Sequence, residues 1–170
     1  MPTNQTRVQP GKVFLDWAAA ERAKTDCSKA LLACAGSLSP VPDEAEFVGL
    51  LAHRHFLLSF FLMNDTEWFT ADLTVSELGS ARTMAHVAEK NPTRLLSDLV
   101  PIAPDYKVHG FSLGAMKGRP ILVAASAAAQ TCLIDGYNRC CEILRNHQGF
   151  AAVPVYLGVC PNLGQWRWYQ

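Results

Sequence analysis

Apolar residues follow two rhythms along this chain, a helical one in the first third and short strand-like runs beyond it. Residues 1–12 are polar and read as a loose tail. From residue 13 to 35, Phe14, Trp17, Ala18, Leu31 and Leu32 recur at helical spacing and predict a helix. Gly36, Pro40 and Pro42 interrupt it. Asp43 then stands where a helix cap belongs, with Glu44 and Glu46 suited to the first turn of a helix running through residues 47–63.

Past a turn at residues 64–66, Trp68, Phe69, Thr70, Leu73 and Val75 predict a strand. A polar segment opens at residues 76–78. Residues 83–90 predict a short helix that Asn91-Pro92 ends, because proline pushes the residue before it out of helical geometry. Residues 93–100 predict a second short helix. Residues 101–118 read as a loop long enough to be functional. Residues 118–124 predict a strand, and residues 127–130 turn it back into a strand at 131–134. A helix over residues 140–147 follows, with Gly149 as its C-cap. Residues 153–159 form the last strand, whose Pro154 marks an edge or a strand start. Strand and helix segments of this kind predict an α+β fold.

At 170 residues with 49% hydrophobic and 18% charged positions, the chain can bury a core. Lysine plus arginine equals aspartate plus glutamate at 15 each, so net charge gives no pull toward DNA or an anionic membrane. The six cysteines form no C-x-x-C pair, which argues against a zinc site. The start of the chain lacks the apolar stretch of a signal peptide, so reduced thiols and a cytoplasmic location are expected. Residues 47–63 fall short of the roughly 20 apolar residues of a membrane helix and carry His53-Arg54-His55 near the middle, so no membrane insertion is expected.

The richest chemistry lies in Thr131-Cys132-Leu133-Ile134-Asp135-Gly136-Tyr137-Asn138-Arg139. An apolar strand meets an Asp-Gly turn, and an arginine follows at the mouth of a helix. Helix N-terminal amides and a planar guanidinium together make an anion site. Asp135 either coordinates a nucleotide-bound magnesium ion or holds the turn through a local hydrogen bond. Glu77 and Glu89 are candidates for a general base, and Arg119 leads Lys90, Arg94 and Lys117 as a further phosphate contact. The aromatic C-terminus around Trp166 and Trp168 offers stacking faces or docks onto its own domain.

Taken in order, the strand from Asp72, the helices after it, Gly118-Arg119-Pro120-Ile121-Leu122-Val123, the Asp135-Gly136-Tyr137-Asn138-Arg139 turn with its helix, and Val153-Pro154-Val155 resemble the ParB/sulfiredoxin superfamily. The resemblance spans residues 66–160. It implies a small mixed sheet with flanking helices over residues 64–170; the N-terminal helices over residues 13–63 have no counterpart in it, and residues 1–63 are expected to form a tail and helical extension packing on that core. It also implies nucleotide phosphate binding at the turn by Gly136, Tyr137, Asn138 and Arg139, with Arg119 beside them. Tyr137 stands where sulfiredoxins carry a reactive cysteine, so their reductase chemistry is not expected. The separate DNA-reading module of partition proteins is not expected either.

What the resemblance implies for activity is a nucleotide hydrolase using ATP and Mg²⁺, with Glu89, Arg139 and Asp135 as catalytic residues. Such an ATPase is expected to carry DNase activity in the manner of plasmid fertility-inhibition proteins, which act against conjugative DNA transfer. DNA and a protein of a DNA-transfer apparatus are then the expected partners. The alternative is a non-catalytic nucleotide- or DNA-binding adaptor that engages a protein partner.

Overall fold

The computed structural model describes residues 2–22, 65–87, 91–104, 116, 118–146, 150–167 and 169. The chain divides into two compact units, Met1–Val8 with Asp65–Gln170, and Gln9–Asn64. In the second of these the described element is helix α1 (Pro10–Arg22), which starts three residues ahead of the helix expected from residue 13. Proline suits a first helical position because its missing N–H would have no partner there. The expected cap at Asp43 and the helix over 47–63 lie outside the described residues.

The larger unit is built on a mixed sheet of six strands: β1 (Thr3–Val8), β2 (Glu67–Leu73), β3 (Arg82–Thr83), β4 (Ile121–Ala124), β5 (Cys132–Asp135) and β6 (Val153–Val159). Their order is β1-β2-β6-β4-β5-β3. The β1–β2, β2–β6 and β4–β5 pairs are antiparallel, whereas β6–β4 and β5–β3 are parallel. Among its described residues are three α-helices, α2 (Val75–Gly79), α3 (Leu96–Ile102) and α4 (Tyr137–Asn146). They contact one another, and their apolar residues join those of the sheet in one core. Leu73, Leu122, Leu133, Val155 and Leu157 meet Leu78, Leu96, Leu99, Cys140, Ile143 and Leu144 there. Each fully buried aliphatic side chain contributes about 2 kcal/mol relative to an exposed one. The mixed α+β architecture agrees with expectation.

Several local readings change. Part of the polar tail is ordered: β1 pairs with β2 along the sheet edge, although five of its six side chains are exposed. Ladder hydrogen bonds, not burial, hold it there. Its register shifts between Thr3 and Thr6, where Asn4 takes a φ of 52° and donates from its amide to Asp72. Asparagine tolerates that left-handed geometry better than most residues. The polar segment after Thr74 is helix α2, closed by a capping box in which the Glu77 amide donates to Thr74 Oγ1 and the Thr74 amide donates to Glu77 Oε2.

Residues 83–90 do not form the expected helix throughout. Arg82–Thr83 is a strand, Ala85–Val87 is a 3₁₀ turn, and residues 88–90 lie outside the described set. The next helix begins at Leu96 rather than 93 and carries Pro101 in its last turn. Residues 101–102, read as the start of the long loop, complete that helix. Strand β6 is central, between β2 and β4, rather than an edge. Pro154 fits because pairing with β4 starts at Tyr156, past the residue that lacks an N–H. Among the described residues no helix is long and apolar enough to cross a membrane.

Candidate functional site

Strand β5 is buried through Cys132, Leu133 and Ile134 and emerges at Asp135. The next residue must turn sharply, and it is Gly136 with a φ of +98°. A side chain there is excluded twice. L-residues avoid that φ, and a Cβ would sit 3.0 Å from Pro120 Cα and 3.1 Å from Arg139 Nη2. The Gly136 carbonyl accepts from the Cys140 amide at 2.9 Å, the first rung of α4. The helix therefore opens at Tyr137, three residues earlier than the residue 140 start read from sequence. Its first-turn amides, residues 137–139, precede any carbonyl the helix itself supplies. Turn, helix mouth and arginine thus come together as expected.

The charges are arranged differently from the expectation. Arg139 Nη2 lies 3.0 Å from Asp135 Oδ2, with the two side chains 13% and 14% exposed. A pair this sheltered is screened less than a surface pair. Losing either partner leaves a poorly solvated charge. In this structure the Asp135 carboxylate accepts from the Arg139 guanidinium, a contact local to the turn.

Arg119 precedes Pro120, whose Cα crowds Gly136, so the chain brings it beside the turn. Its guanidinium carbon stands 5.5 Å from the Tyr156 ring centre, a cation–π contact. The Tyr156 amide donates to the Pro120 carbonyl at 2.8 Å, which ties β6 to the same corner. Asn138 is exposed at the helix mouth. Tyr137 turns its hydroxyl inward, accepting from the Met84 amide at 2.9 Å and donating to the Leu133 carbonyl at 3.0 Å.

The remaining sequence candidates separate. Glu89, Lys90 and Lys117 lie outside the described residues. Glu77 is held in the α2 capping box rather than standing as a base near the turn. Arg94 is structural: its Nε and Nη2 donate to the Thr83 carbonyl at 3.2 and 2.9 Å, and Nη2 also donates to the Tyr169 carbonyl at 2.8 Å. The Tyr169 ring lies under Arg82, with 5.1 Å between guanidinium carbon and ring centre, and Trp166 is buried. Both residues of the aromatic terminus dock on the domain that carries them. Trp168 lies outside the described residues.

Cys132, Cys140, Cys141 and Cys160 are buried. Burial pushes Cys132 up to about 12 and Cys141 up to about 11, and it raises Cys140 and Cys160. Such thiols stay protonated and pack as small hydrophobes. Among the described residues no group of three or more His, Cys, Asp or Glu is placed to hold a metal ion. Two grooves lie elsewhere. One of 610 Å³ includes Thr74, Val75, Ser97 and Phe150, and one of 350 Å³ includes Pro2, Leu73 and Gln130. Neither is lined by residues 135–139.

Sequence reasoning missed Arg145, which donates from Nη2 to the Val100 and Ala103 carbonyls at 3.0 and 2.6 Å and caps the end of α3. It also missed Pro120 and the Met84 amide as neighbours of the turn. The basic residue in the last turn of α4 was a visible signal for the first, whereas no local signal marks the other two. Comparison with protein-family models, curated proteins and solved structures finds no match for this chain.

Proposed function

We propose that the turn from Asp135 to Arg139 binds the phosphates of a nucleotide. The observation that carries this reading is the convergence of the α4 mouth, the Gly136 bend and the sheltered Arg139 guanidinium on one corner of the sheet. Helix amides and a guanidinium are complementary to phosphate oxygens. The order of motifs that resembles the ParB/sulfiredoxin superfamily supports the same assignment and puts ATP with Mg²⁺ first among ligands.

The Asp135–Arg139 pair gives the site a closed resting arrangement. A bare anion that takes Arg139 draws it away from the Asp135 carboxylate. A metal-chelated phosphate supplies both signs, an anion for Arg139 and a cation for Asp135. Carboxylate oxygen is a hard ligand of the kind magnesium uses together with substrate phosphates. The donor set therefore fits a magnesium nucleotide. Bound there, the metal ion would neutralise phosphate charge. The chain's own part is to orient the phosphates through the residue 137–139 amides and Arg139.

Hydrolysis, with Glu89 assisting the attacking water, and coupled DNA cleavage are the enzymatic form of this proposal and rest on the family resemblance. The adaptor form shares the same ligand site and is favoured by one observation, the commitment of Asp135 to Arg139. Equilibrium binding of ATP with Mg²⁺ and phosphate release, measured on wild type, Arg139→Ala and Glu89→Ala, test both. Binding lost in Arg139→Ala supports the site. Release lost in both variants supports the enzyme, whereas binding without turnover supports the adaptor. Equal binding by wild type and Arg139→Ala contradicts the site.

A further inference from the structure

We infer that Tyr137 is a positioning residue that sets the anion-facing turn by acting as a rung between two parallel strands. This rests on the phosphate-binding reading. Strands β3 and β5 pair in parallel at Arg82 with Cys132 and Thr83 with Leu133, and the pairing ends there. One step further, the Tyr137 hydroxyl stands between the strands, accepting from the Met84 amide at 2.9 Å and donating to the Leu133 carbonyl at 3.0 Å. Both lone-pair and proton functions of the phenol are engaged. Met84 is 1% exposed and Leu133 is 0% exposed, so either backbone group would lose a partner out of reach of water if the hydroxyl were removed.

The same residue opens α4. Its own amide is the first of the three at the helix mouth, so fixing the ring fixes the direction of that amide. The bond back to Leu133 spans four residues and closes β5, the Gly136 bend and the start of α4 into one ring of contacts. On its other side the rung is anchored through β3. The Thr83 amide donates to the Arg94 carbonyl at 2.7 Å, and the Arg94 guanidinium returns to the Thr83 carbonyl and on to Tyr169. Phenylalanine would fill the ring's place but supply neither bond.

The test compares wild type, Tyr137→Phe and Arg139→Ala for binding of a non-hydrolysable ATP analogue with Mg²⁺, well below each variant's melting temperature. In parallel, the Met84 amide resonance of wild type is followed during the titration. The expected result is a Tyr137→Phe affinity roughly tenfold weaker than wild type, and a Met84 amide shift with the midpoint of ligand binding. A hydroxyl that serves stability alone would lower the melting temperature and leave both readouts unmoved. Wild-type affinity in Tyr137→Phe, or a Met84 resonance indifferent to ligand, overturns the inference while Arg139→Ala still loses binding. If wild type binds no better than Arg139→Ala, the phosphate reading itself fails. If Tyr137→Phe does not fold, the Met84 titration of wild type decides alone.

Discussion

At the scale of single residues, the candidate site depends on one glycine and one ion pair. Gly136 combines a φ of +98° with a Pro120 Cα that would lie 3.0 Å from any Cβ. Gly136→Ala should cost about 2–3 kcal/mol in unfolding free energy, read by urea denaturation, because strain and crowding add. Asp135 holds Arg139 at 3.0 Å and competes with an incoming anion. Asp135→Asn should therefore strengthen magnesium-free binding of pyrophosphate on the order of tenfold, seen by calorimetric titration. The same variant should lose the gain that magnesium gives wild type. No change in either measurement would mean that Asp135 does not gate the arginine.

Among the elements, legibility followed how much of the information is local. The β5 strand, the turn and α4 could be read because an apolar run, an Asp-Gly pair and an arginine stand consecutively. Helix α2 was missed because five residues are too few to show periodicity, although Thr74 and Glu77 spelled its capping box. Strand β1 was missed because its order comes from pairing with β2, while its side chains face water. Pro154 reads as an edge or a strand start; it stands second in β6, and only the register shows that the ladder to β4 begins beyond it. Arg94 was counted among phosphate contacts because its αL backbone and its carbonyl partners are long-range facts. With a φ of 58° it is strained and held by three hydrogen bonds. Arg94→Ala should destabilise by about 2–3 kcal/mol. Arg94→Gly should cost about 1 kcal/mol less, since glycine accepts that backbone. Equal losses in urea melts would show that the strain is absent.

For the whole molecule, protonation sets a stability window. Burial holds His86 below its ordinary value of 6.5, so the unfolded chain takes up that proton first. Stability from this group is intact above 6.5 and falls as pH drops through the lower folded value. Burial acts the other way on the thiols: Cys141 and Cys132 rise from 9.0 to about 11 and about 12. Their contribution is intact below 9.0 and is lost as pH climbs through those folded values. Urea midpoints should therefore form a plateau between the two limits. His86→Gln should flatten the acid side alone, and an unchanged acid slope would exclude His86 as its source.

The most direct measurement is a crystal structure of the protein soaked with a non-hydrolysable ATP analogue and Mg²⁺. Phosphate oxygens are expected within hydrogen-bond reach of the residue 137–139 amides and of Arg139, with Asp135 turned from the guanidinium toward the metal ion. Nucleotide bound elsewhere on the molecule, with the 3.0 Å Asp135–Arg139 pair still closed, would contradict it.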